Sequence, residues 1–293
     1  MQACRLDVET AKPGNVSIDS AAHGMTAAQF IASADAAASA LFTQGASVGE
    51  RILGAVRRTR DVAGCNTNLG IVLLVAPLAA ALDLLADQTV AMTAWRTATQ
   101  KVLAELDLDD ARAAYRAIAL ANPGGLGDAP EQSVHDAPTV DLRTAMTLAA
   151  DRDSIARQYA NGFRDVFETG LDAVRHRSLS GQSQPATDVT LDVFLAFLSG
   201  WPDSHIVRKQ GLSVAQSVTR EALSRYEAMR RHALADELTS LGAWDSELKA
   251  RGINPGTSAD LTVATLFVAG VVDGVETGGS SEQRVAGSDW HGT

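Results

Sequence analysis

Apolar positions recur at helical spacing, mostly as alanine and leucine, through most of the 293-residue chain, which predicts helix as the default state and an all-α fold. The densest apolar stretch is 71–82, an almost unbroken run that predicts a buried helix. Pro77 removes the bond to Leu73, so the pattern predicts a kink rather than an end, because apolar periodicity continues to about Ala86. A buried strand over 71–75 is the competing reading. Upstream, Thr26 is placed to cap an alanine-rich helix reaching about Phe42. Ser47 and Glu50 form a capping-box pattern. The helix they start has an apolar face of Val48, Ile52, Ala55 and Val56, with Arg51, Arg57, Arg58 and Arg60 expected to face away. Further helices are predicted over 90–106, 109–121, 141–175, 188–198, 207–233, 235–250 and 261–272.

Glycine and proline punctuate this pattern. The stretch 122–138, which contains Gly124-Gly125-Leu126-Gly127, reads as a long functional loop or lid inside one domain rather than a linker, since helical periodicity resumes after it. A polar interruption spans 178–187. The reading is a single domain over 1–277 and a disordered tail over 278–293, where periodicity is lost.

Composition narrows the function classes. Hydrophobic residues make up 46% and charged residues 20%, as in a globular protein. The net charge of -10 argues against a nucleic-acid partner, while leaving room for a local basic patch. Cys4 and Cys65 have neither metal-ligand spacing nor a disulfide framework, and the charged amino terminus is unlike a signal peptide, so a cytoplasmic location is expected. The run 71–82 is too short for a membrane span.

Chemistry is concentrated in polar turns at 12–15, 64–70, 203–211 and 254–260, each joining or starting a helix. Each sets glycine beside groups suited to anions or metal: Lys12, Arg208 and Lys209 for phosphate charge, Asp203 and Asp260 for magnesium. Gly64-Cys65-Asn66-Thr67-Asn68-Leu69-Gly70 opens the buried run and reads as a polar entrance to the core. A single turn of this kind is usually a helix connection; the recurrence favours a site. His23 lies in a turn, where it would contact phosphate or serve as a structural residue. Asp151 and Asp153 stand two apart, so on a helix they do not share a face, and one would line a site while the other is solvated. Asp7 and Glu9, just before the lysine turn, pose the same question. No hydrolase elbow, phosphate loop, dinucleotide fingerprint or zinc spacing is present.

Lys12-Pro13-Gly14-Asn15-Val16, His23-Gly24-Met25, the 64–70 turn and Pro255-Gly256-Thr257-Ser258-Ala259-Asp260-Leu261 together resemble, in order and spacing, the triphosphoribosyl-dephospho-CoA synthase family. The resemblance covers nearly the whole chain. It implies an all-α transferase that moves the triphosphoribosyl part of ATP to the ribose 2′-hydroxyl of 3′-dephospho-CoA and releases adenine. Mg²⁺ would act with ATP, and a homodimer is compatible with it. Carried onto this chain, it implies Asp203 and Asp260 as catalytic or magnesium-binding groups. Nucleotide contacts would come from Lys12, Gly14, Asn15, His23, Asn66, Thr67, Asn68, Arg208, Lys209, Gly256 and Ser258. The citrate-lyase type has histidine and lysine where this chain has Asn68 and Leu69, an Arg-Gly-Gly segment where it has Arg208-Lys209-Gln210-Gly211, and glycine at Thr257. The Asn-Thr-Asn-Leu-Gly form, with Arg152 to Tyr159, is more similar to the branch found in archaea and one-carbon-metabolising bacteria. That branch implies, as an alternative, an enzyme making a methanofuran-like or pterin-type one-carbon cofactor; the altered turn leaves a second alternative, a non-catalytic nucleotide-binding or assembly protein.

Overall fold

The computed structural model describes residues 1–86, 90–122, 133–134, 136–178, 185–231 and 234–278. These form helices Gln2–Glu9 (α1), Ala27–Leu41 (α2), Val48–Ala63 (α3), Leu69–Asp83 (α4), Met92–Glu105 (α5), Leu108–Ala121 (α6) and Leu142–Ala149 (α7). They continue as Ser154–Asn161 (α8), Leu171–Ser178 (α9), Ala186–Gly200 (α10), Ser204–Gln210 (α11), Leu212–Arg231 (α12), Leu234–Ala250 (α13) and Gly256–Gly278 (α14). Among the described residues there is no sheet, only isolated bridges in the segment after α1. None of the described helices is long and apolar enough to cross a membrane.

Local chemistry sets the boundaries. The capping boxes at Thr26–Gln29 and Ser47–Glu50 are both present, and Asp107, Asp141, Asp153 and Asp203 each cap the helix that follows. The helix expected over 141–175 is instead broken into α7, α8, a π-helical turn over Val166–Gly170, and α9. Asp153 starts a new helix there, and Gly162 and Phe163, with φ of 72° and 59°, end it. The helix expected over 207–233 is likewise split at Gly211, giving α11 and α12. Helix α1 was not expected, and the strand reading of 71–75 gives way to α4. The glycine-rich lid over 124–127, most of the 178–187 interruption and the tail from 279 onward lie outside the described residues.

Helix α4 is the central element, buried along nearly its whole length. Pro77 sits inside it and leaves the Leu73 carbonyl without its helical donor; the hydroxyl of fully buried Tyr159, from α8, donates to that carbonyl at 2.7 Å. Arg51 corrects the expectation that the α3 arginines face outward. It is 1% exposed, and its guanidinium donates to Leu41 O and Ala46 O and pairs with Asp83 at the far end of α4. The first and last of the described helices also meet. Helix α1 packs on α14, Asn15 Nδ2 donates to Asn254 Oδ1 at 2.9 Å, Gly14 N donates to Asp245, and Lys249 Nζ donates to Ser20.

Candidate active site

Where the first and last described helices meet the start of α4, two cavities adjoin. The narrower encloses about 330 Å³ and the wider about 670 Å³; Met25, Asn66, His205 and Asn254 line both. Much of the narrower wall is apolar, with Phe30, Tyr115, Ile118, Met146 and Ile155, and it also carries Arg152, Asp153, Arg208 and Asp260. The wider cavity is the more polar of the two, bounded by His23, Thr59, Arg60, Asn68 and Lys209 as well as Val56 and Leu120.

Asp260, in the first turn of α14, lies against the first turn of α4. The approach is close enough that a Cβ on Gly70 would fall 2.0 Å from Asp260 Oδ2, so glycine at this position makes room for the carboxyl. Among the described residues its side chain has no hydrogen-bond or ion-pair partner. Removal from water raises its pKa well above the ordinary value, and the charges of Asp7, Asp203 and Asp153 act in the same direction against Arg208. Asp7 lines the same cavity and forms an ion pair with Lys12 at 3.2 Å. Burial pushes the Asp7 carboxyl up and the Lys12 ammonium down, and each one's charge opposes the other's shift. His205 sits at the junction of the cavities. Burial, followed by the nearby positive charges of Arg208 and Lys209, lowers its pKa to about 4, so it is a neutral imidazole at neutral pH.

The residues expected from sequence divide between these walls and the scaffold behind them. Asn15, Asn66, Thr67, Arg208, Gly256 and Asp260 line the narrower cavity; His23, Asn66, Asn68 and Lys209 line the wider. Asn66 Oδ1 accepts from Leu69 N, Thr67 Oγ1 donates to Ser33, and His23 Nε2 donates to Gly14 O. Lys12, Gly14, Asp203 and Ser258 are not on either wall. Lys12, expected as a phosphate ligand, has a fully buried side chain whose Nζ bonds the backbone carbonyl and carboxylate of Asp7. Gly14 has φ of 79° and packs against Pro255 and Ile253, which leaves no room for a side chain.

Asp203, expected as a metal ligand, has both carboxylate oxygens engaged within the protein. Its Oδ1 accepts from His205 N and Ile206 N at 2.9 and 3.1 Å, and its Oδ2 from Ser258 N and Oγ at 2.7 and 2.8 Å. It is the cap of α11 and its tie to α14, with its lone pairs in use; Ser258 belongs to the same tie. Among the described residues no group of three His, Cys, Asp or Glu is arranged to hold a metal. With Asp203 saturated and Asp260 favouring its proton, the donor set does not build a resident magnesium site.

Sequence patterns passed over Arg60, Arg152, Asn254 and His205. Of Asp151 and Asp153, expected to divide between a site and solvent, Asp153 caps α8, pairs with Arg208 at 2.8 Å and lines the cavity, while Asp151 is exposed. The break between α7 and α8 turns Arg152 and Asp153 toward the cavity, and continuous periodicity gave no sign of that break.

The chain matches the model of the ATP:dephospho-CoA triphosphoribosyl transferase family over residues 1–277. A crystal structure from Archaeoglobus fulgidus, of a protein provisionally described as a triphosphoribosyl-dephospho-CoA synthase, superposes with a TM-score of 0.63 at 25% identity, covering 83% of this chain and 98% of the other. No curated protein matches significantly.

Proposed function

The chain belongs to the ATP:dephospho-CoA triphosphoribosyl transferase family, and from that premise we propose how its site carries triphosphoribosyl transfer from ATP to 3′-dephospho-CoA with release of adenine. The observation that carries this reading is the pair of cavities joined along Met25, Asn66, His205 and Asn254. Transfer between two nucleotides needs two sites whose rims meet at the reacting carbon, and holding both reactants there supplies much of the rate. The narrower, largely apolar cavity suits the purine and ribose of ATP, with Arg152 and Arg208 for its phosphates. The wider cavity, with Arg60 and Lys209, suits the diphosphate of the acceptor. Asn66 and Asn68, at the entrance to α4, orient the sugars between them. Magnesium enters with the triphosphate as MgATP, held mainly by phosphate oxygens and water.

The test is to incubate the full chain with MgATP and 3′-dephospho-CoA and to follow free adenine and the mass of the acceptor. Stoichiometric adenine and an acceptor heavier by one triphosphoribosyl group are expected; ATP bound without adenine release would defeat the reading. A second acceptor class is favoured by one observation. Asn68 lines the wider cavity, the one assigned to the acceptor, where the citrate-lyase type has a histidine, so a group able to carry positive charge is replaced there by a neutral amide. A less anionic, pterin-type or methanofuran-like acceptor fits that change, and adenine release with such an acceptor but not with dephospho-CoA would select it.

A further inference from the structure

Asp260 differs from the other carboxylates at helix starts around the site. Asp203 is held by backbone and hydroxyl donors, and Asp153 by backbone N–H groups and by Arg208. An ionised carboxylate taken out of water requires such donors, whereas a carboxyl that keeps its proton does not, and it can donate in its turn. Asp260 lies in the cavity wall against Gly70, half-buried and facing the cavity, and has no protein donor among the described residues.

The groups around it favour the same state. From α1 it faces Asp7, whose charge partner Lys12 is already engaged, and the Cys4 thiol, which burial pushes up to about 12 and so keeps neutral. From α8 it faces Asp153 and from α11 Asp203; Arg208, the cation that opposes them, is paired with Asp153.

We propose that Asp260 is the proton donor to the departing adenine, and not a magnesium ligand or the base for the incoming hydroxyl. This rests on the triphosphoribosyl-transfer reading given above. The bond from ribose C1′ to adenine N9 breaks with its electron pair going to the purine. The Asp260 proton goes to a purine ring nitrogen, so adenine leaves neutral. The new bond joins C1′ to the acceptor hydroxyl oxygen, whose proton passes to solvent in the wider cavity. Asp260 regains a proton from solvent once adenine has left. Phe30, Ile118 and Met146 give the cavity that Asp260 lines an apolar wall suited to the purine.

The test compares ATP with the triphosphate of 6-chloropurine riboside, whose base leaves as a stable anion and needs no proton. Single-turnover base release is measured for the full wild-type chain and for Asp260→Asn, with ATP affinity by calorimetry. With ATP the variant is expected to lose roughly 10²–10⁴-fold in rate, the range of general acid catalysis, and with the chloropurine substrate less than about 10-fold. Its affinity for ATP should be unchanged. The wild-type rate with ATP should fall as pH rises through the Asp260 titration, since the protonated form is the active one. Equal losses with both substrates, or a rate with ATP that rises with pH over that range, would overturn the proposal in favour of a base. Loss of ATP binding in the variant would overturn it in favour of a binding role. Wild-type protein that releases no base from either triphosphate would overturn the reaction assignment itself, and this proposal with it.

Discussion

At Tyr159 one hydroxyl supports the central helix. Pro77 deprives the Leu73 carbonyl of its helical donor, and Tyr159 supplies a replacement from α8. Tyr159→Phe would leave that buried carbonyl without a donor and is expected to lower stability by roughly 1–3 kcal/mol. In a Pro77→Ala background the helix regains its own donor to Leu73, and the same change should cost less than about 1 kcal/mol, a coupling that a double-mutant cycle by denaturant unfolding would measure. Additive effects would mean that Tyr159 acts through packing alone. Single residues were also the least legible in the sequence. Asp203 and Lys12 carry the right chemistry for a magnesium ligand and a phosphate contact. A helix-capping aspartate and a metal-binding one have the same sequence signature, however, and only the donors around Asp203 tell them apart. Lys12 likewise reads as a surface cation until α1, which the sequence did not reveal, brings Asp7 over it.

Elements were legible where a cap and a periodic face coincided. Thr26 and Ser47 start their helices as expected, and the polar turn before α4 opens onto a buried core. The breaks between α7, α8 and α9 were not legible, because apolar periodicity runs straight through a loop that the left-handed Gly162 and Phe163 only later betray. The contact of α4 with α14 was hidden as well. Gly70 stands at the end of the polar turn, and nothing in the local pattern shows that it makes room for Asp260. Gly70→Ala would improve helix propensity by up to roughly 1 kcal/mol while forcing the carboxyl aside. A displacement of an ångström at a reacting group costs on the order of 10²-fold, so adenine release should collapse while far-ultraviolet circular dichroism stays unchanged. An undiminished rate in this variant would place Asp260 outside the chemistry.

Across the whole molecule, the site exists because the first and last described helices close on each other, through α1 on α14 and Asn15 on Asn254; no local pattern encodes such a long-range contact. That closure draws Asp260 into the wall of a partly enclosed cavity and sets Asp7 and Asp203 near it, in a chain already carrying a net charge of -10, so ionising it in the folded state is costly. The sign of the effect on stability follows. The folded pKa lies above the unfolded value near 3.8, so the folded state binds more protons between the two values. The favourable contribution is therefore complete below about 3.8 and is lost as pH rises through the folded pKa. Raised values for Asp7 and Asp203 act with the same sign. His205, with its pKa lowered from 6.5 to about 4, acts oppositely and costs stability as pH falls across that window. Asp260→Asn removes the carboxyl's contribution alone. Its melting temperature should exceed that of wild type above the folded pKa of Asp260, and the gap should close as pH is lowered toward the unfolded value. A constant difference at every pH would show that the carboxyl does not titrate abnormally in the folded chain. The same substitution is expected to abolish efficient adenine release, so the group that weakens the fold at high pH is the one the reaction needs protonated.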